Sequence, residues 1–82
     1  MSTTYYVAMA FARDEGGELV PLEPVESHTS TAAVSRARAL AAKNAGAVAF
    51  SRTGDPEQGH FADAVVLFSA GEVPEDVKML DR

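Results

Sequence analysis

Arg52, Asp55, Glu57 and His60 fall within one short stretch of the chain. A carboxylate beside an imidazole can orient a proton transfer, and carboxylates with a histidine can contribute ligands to a metal ion. Each chemistry sets further conditions. Acid-base groups need mutual hydrogen-bond reach and tuning by burial, and a metal site needs three or four convergent ligands. The surrounding residues from Thr53 to His60, TGDPEQGH, are turn formers, with Gly54, Pro56 and Gly59 among them. Asp55, Glu57 and His60 are therefore expected in an exposed, solvated loop, with an enzyme or metal site there as the weakest reading. His28, between Ser27 and Thr29, is expected at a helix cap or in solvent.

Other chemistries find less support. The sequence has no cysteine, and no serine sits in a GxSxG elbow, so neither nucleophile pattern is present. The Gly16–Gly17 pair lacks the following helix and the Lys-Ser/Thr pair of a phosphate-cradling loop. Tyr5 and Tyr6 are adjacent on an extended stretch, so they point to opposite faces and cannot stack one base together. The chain is expected to carry no cofactor and to act without catalysis.

Charge is distributed more informatively than its total of −5 suggests. From Ser27 to Thr53 there are four bases, Arg36, Arg38, Lys43 and Arg52, and no acid, whereas the remainder holds twelve acids against three bases. This segment either complements the acidic strands internally or presents a surface to an acidic partner, through Arg36, Arg38, Lys43 and Arg52. Internal complementarity is the commoner arrangement. A general nucleic-acid binder is not expected, because phosphate neutralisation needs a basic surface and this protein is acidic.

These residues must be held by a small scaffold. With 82 residues, 46% hydrophobic and 23% charged, the composition is that of one globular domain over residues 1–82. A chain this short buries only about 60 to 65% of its unfolded surface, so self-association is the expected supplement in the absence of disulfides. The amino terminus has no basic region followed by an apolar segment, and no apolar run is long enough to span a bilayer. A soluble cytoplasmic protein is the expectation.

The alternation in Tyr5–Arg13 predicts a strand with Tyr5, Val7, Met9 and Phe11 on one face and Tyr6, Ala8, Ala10 and Ala12 on the other. Asp14–Glu18, DEGGE, predicts a tight reversal. The return strand, Leu19–Glu26, contains Pro21 and Pro24 and so belongs at the rim, guarded by Glu23 and Glu26. A helix follows, capped by one of Thr29, Ser30 and Thr31, with Ser30 or Thr31 favoured. Its apolar arc, Ala33, Val34, Ala37, Leu40, Ala41 and Ala45, spans roughly 140°, with Arg36 and Lys43 on one shoulder and Arg38 on the other. Gly46 suits a left-handed helix stop.

Ala47–Ser51 predicts a short strand, and Phe61–Ser69 a strand covered on both faces. The product is an α+β domain, ββαββ, with a four-stranded, mainly antiparallel sheet and one helix on one face. Residues from Pro74 to Leu80 suit a short helical turn, and residues 72–82 could equally fray. Strand order 2-1-3-4 keeps all neighbours antiparallel, with 2-1-4-3 as the alternative. Beneath the alanine arc, Val7, Met9 and Phe11 are expected to supply bulk. Ala8, Ala10 and Ala12 would then lie on the uncovered face, and that face or the edge of the last strand would be a homodimer contact.

The string AGAVAFSRTGDPEQGHFADAVVL, followed by GEVP, resembles short bacterial proteins to which no activity is assigned. The opening, YYVA with a glycine hairpin and then TAAVSRARAL, is also loosely similar to the amino-terminal domain of HicB-type antitoxins. That second likeness covers less than half the chain and lacks the third strand before the helix, so it implies no function. The residues themselves point to a small interaction or regulatory module, homodimeric and with a protein partner, away from nucleic acid and membrane. The alternative is a binder of an anion, acidic peptide or nucleic acid through the basic helix shoulders.

Overall fold

The computed structural model describes residues 2–55 and 57–74. Alternation carries β1 over Thr3–Arg13. A turn at Asp14–Gly17 then reverses the chain, with the Gly17 N–H donating to the Asp14 carbonyl at 3.0 Å. Gly17 takes φ +82°, a left-handed conformation that costs a glycine little. The return strand is split into β2 (Leu19–Pro21) and β3 (Val25–Ser27), both antiparallel to β1 on its outer side. Proline explains the split, since it supplies no N–H to a ladder.

Helix α1 (Ser30–Lys43) follows. Its N-cap is Thr29, whose hydroxyl accepts from the Ala32 N–H at 3.1 Å, so the favoured Ser30 and Thr31 are helical residues instead. The hydroxyl two or three residues ahead of the first free amide makes the cap, and Thr29 alone has the extended backbone that aims it there. At the other end the Asn44 side-chain amide donates to the Leu40 carbonyl at 2.9 Å. Gly46 is not the left-handed stop expected: it opens the next strand and has no positive φ.

Strand β4 (Gly46–Asp55) pairs antiparallel with β1 from Phe11↔Gly46 to Thr3↔Gly54. It is longer than Ala47–Ser51 because Thr53 and Gly54, read as loop, find partners in Thr4 and Thr3, a distant pairing that turn propensity does not register. The turn is thereby reduced to the residues after Asp55. Strands β5 (His60–Phe61) and β6 (Val65–Gly71) both pair antiparallel with β4. The single covered strand expected over Phe61–Ser69 is thus two pieces, and Val65 is 57% exposed. Counting β2/β3 and β5/β6 as interrupted strands, the sheet has the expected 2-1-3-4 order, and α1 covers one of its faces. The expected helical turn from Pro74 to Leu80 lies outside the described residues after Pro74.

The helix sits on the opposite face from the one expected. Ala33 and Ala37 pack against Ala8, Ala47 and Ala49, all fully buried, while Tyr6, Leu40, Leu67 and Phe68 ring the contact. Small residues meeting small residues let the helix and sheet backbones approach closely, and the bulk comes from the periphery of the contact. Val7, Met9 and Phe11 instead share the second face with Val48 and Phe50. A register shift between Ala49 and Phe50 makes this fit possible: Ala49 faces Phe68 and Phe50 faces Val66, leaving Leu67 as the extra residue of a bulge. Leu67 and Phe68 both reach the helix side as a result.

Part of the second face is covered by the chain itself. After β6, Gly71 turns at φ +71°, the Glu72 N–H donates to the Ala45 carbonyl at 2.9 Å, and Val73 packs on Phe11 and Val48. Gly46 is required here because a Cβ on it would run into the Glu72 backbone.

Candidate interaction surfaces

The Asp55 turn is built by backbone and side-chain caps. Its carbonyl accepts the Gly59 N–H at 2.8 Å and the Gln58 N–H at 3.2 Å, while its carboxylate accepts the Glu57 N–H at 3.0 Å. Asp55 faces His60 across the β4–β5 pair, and Glu57 and His60 are exposed. The histidine and acid are thus brought together across a hairpin, in a role that a turn explains. Among the described residues no group of three or more His, Asp or Glu side chains is placed to hold a metal. His28 is exposed just ahead of the helix cap.

The four bases do not form one patch. Arg36 lies with Ala32, Ser35 and Ala39 along an outer face of α1, and Lys43 follows on that same face in the last turn. Arg38 turns the other way, its guanidinium 5.3 Å from the centre of the Phe68 ring. Arg52 lies 5.5 Å from the centre of Phe61, which also meets Tyr5 at 6.3 Å between ring centres. Charge over an aromatic face is attracted by the ring quadrupole, and the contact orients each guanidinium. Among the described residues no carboxylate forms an ion pair with Arg36, Arg38, Lys43 or Arg52.

The ion pair that is present serves the fold. Arg13 donates to the Glu72 carboxylate at 2.7 Å and to the Gly17 carbonyl at 2.6 Å, tying the segment after β6 to the hairpin. The hydrogen bond and then the charge of Arg13 hold the Glu72 carboxyl below its ordinary range, and the Arg13 guanidinium is correspondingly raised.

Two surfaces remain. On the sheet face away from α1, Tyr5, Val7, Met9, Phe50 and Val66 are only partly buried, beside Phe61 at 42% exposure. The second surface is the outer edge of β6. At the opposite edge Pro21, Glu23, Pro24 and Glu26 are all exposed and oppose strand addition. Strand β6, VVLFSAG, has no charge and no proline, and among the described residues it pairs only with β4.

Beside that edge runs a groove of about 500 Å³ between α1 and β6, lined by Ser30, Thr31, Val34, Ser35, Arg38 and Leu67. Val34 and Leu67 make its apolar floor, and hydroxyls and Arg38 its rim. Leu67 and Phe68 were not singled out by sequence reasoning. Their signal is the run Val65–Phe68, four bulky apolar residues without alternation, which is what a bulge with two successive side chains on one face requires. Among the described residues no helix is long and apolar enough to cross a membrane. No protein-family model, curated protein or solved structure matches the chain.

Proposed function

We propose that this protein is a small homodimeric interaction module whose two copies meet through the sheet face away from α1. The observation that carries the reading is the content of that face: Tyr5, Val7, Met9, Phe50, Val66 and Phe61 form a continuous apolar strip that neither α1 nor Val73 covers fully. Contiguous apolar surface of this kind is costly in water and marks association. A two-fold axis running between the two facing sheets and parallel to them would set the same strip against itself, the usual geometry of a homodimer. Association would also supplement a core divided into two thin clusters.

Size-exclusion chromatography with light scattering tests this at about 100 μM, a concentration well above the Kd of a stable homodimer. The expected mass is twice that of the monomer. Phe61→Glu, on an already exposed ring, should yield monomers with an unchanged circular dichroism spectrum. A wild-type protein that is strictly monomeric at that concentration would overturn the reading.

A further inference from the structure

We infer that the outer edge of β6 accepts an extended acidic segment of a partner protein, which adds as a strand and places a carboxylate on Arg38. The inference deepens the interaction-module reading by naming a partner class, and it uses a different surface from the proposed dimer face.

The backbone argument comes first. In antiparallel pairs the hydrogen-bonded positions alternate. The Leu22 N–H donates to the Ala10 carbonyl, which assigns Ala10 to the β2 side and leaves Met9 and Phe11 to bond β4. Their partners Val48 and Gly46 are thereby used, so Ala47 and Ala49 bond β6 through Ala70 and Phe68. The Glu72 N–H to Ala45 carbonyl bond continues the same alternation. Ser69 and Val66 are consequently left with their N–H and C=O groups on the outer side, where among the described residues no strand lies.

Side chains then select the occupant. The groove alongside the edge has an apolar floor for one incoming side chain and three hydroxyls on its rim. Its single charge is Arg38, exposed, held over Phe68 and paired with no carboxylate among the described residues. No acid occurs from Ser27 to Thr53, so nothing in the helix or β4 up to that point competes for it. A second copy would bring its own acid-free helix against this one, two arginines facing each other. An acidic strand meets no such repulsion, and its alternate residues would enter the groove while the intervening ones face solvent.

The test uses the full chain and a fluorescein-labelled valine-glutamate octapeptide, TVTETVTE, whose valines and glutamates lie two apart and so share one face, read by anisotropy at low and high salt. Its valine-lysine counterpart carries lysine at the glutamate positions. Saturable binding that weakens with salt is expected, and a valine-lysine peptide should not bind. Arg38→Glu, at an exposed position, should weaken binding about tenfold, the scale of one charge-assisted contact. Ser69→Pro removes an outward N–H and no ladder bond to β4, and should abolish binding while the circular dichroism spectrum is retained. Amide exchange at Val66 and Ser69 should slow on binding.

The inference is overturned if the wild-type protein shows no saturable binding, if both variants bind as wild type, or if the valine-lysine peptide binds as well. It is also overturned if Ser69→Pro converts a dimer to monomers, since the edge would then pair copies. The wild-type protein separates the two readings: a strict monomer that binds the peptide sinks only the dimer, and a dimer that binds none sinks only the strand addition. A monomeric Phe61→Glu variant that binds as wild type is what both readings expect.

Discussion

Ala37→Leu should be one of the most destabilising substitutions available in the helix. Ala37 is fully buried against a sheet surface made of Ala8, Ala47 and Ala49, each also fully buried. Leucine adds three carbons where interiors are packed closely enough that one is felt. Neighbouring rotamers cannot absorb them, because alanines have none, so the helix must lift from the sheet and loosen Ala33 and Leu40 with it. Overpacking costs about 1 to 3 kcal/mol, and rigid surroundings put this case near 3. Against a total stability of roughly 4 to 12 kcal/mol for a domain of this size, that is a large share. The melting temperature should fall by about 12 to 24 °C, at 4 to 8 °C per kcal/mol.

Thermal unfolding followed by circular dichroism measures it, with Ala39→Leu on the exposed face as a control expected within about 0.5 kcal/mol of wild type. Ala8→Leu should behave like Ala37→Leu, since it enters the same contact from the sheet side. Were the helix laid over Val7, Met9 and Phe11, Ala37→Leu would settle between large side chains at little cost. A variant as stable as the Ala39→Leu control would therefore refute the close alanine contact.

Gly46→Ala should cost about 3 kcal/mol, at the upper end of overpacking, because its Cβ would collide with the Glu72 carbonyl and lie 2.6 Å from the Glu72 nitrogen, with backbone on both sides unable to give; urea midpoints measure it. The Arg13–Glu72 pair predicts a pH dependence of definite sign. Since the folded-state Glu72 carboxyl is held below its unfolded value, its stabilisation is fully present above the ordinary glutamate range and is lost as pH falls through the lowered value. The melting-temperature difference between wild type and Glu72→Gln should shrink from neutral pH to about pH 3, and shrink in salt at neutral pH, because both side chains are about half exposed.

The element order, the hairpin at DEGGE, the proline-marked rim and the antiparallel strand order are all legible in local pattern. Which face the helix takes is not. Alternation in Tyr5–Arg13 separates bulky from small residues, yet both sets are apolar, so polarity cannot say which set is under the helix. The choice rests on how closely two backbones approach, and that depends on Ala47 and Ala49 arriving beside Ala8 from another strand. Likewise the extension of β4 through Thr53 and Gly54 depends on Thr3 and Thr4, whose pairing no local propensity records. The acid-free segment was visible in the sequence as a charge asymmetry. Its division was visible too, with Arg38 opposite Arg36 on the helix, but the rings that receive Arg38 and Arg52 are supplied by β6 and β5.

The bulge at Leu67 links these features. A flat edge reading VVLFSAG would template any extended chain, including other copies, and an unguarded edge of that kind is an aggregation hazard. The extra residue interrupts the regular ladder after Val66 and leaves Phe68–Gly71 as the longest uninterrupted run beside β4. A strand added there gains few main-chain bonds, too few to bind tightly without help from side chains. The same bulge turns Leu67 into the groove floor and Phe68 into the support beneath Arg38. Shortening the edge and building the groove are thus one structural event. An acidic segment should then be selected by Arg38 while uncharged or basic strands gain too little to stay, so straightening the bulge by deleting Leu67 would relax selectivity together with the loss of the groove.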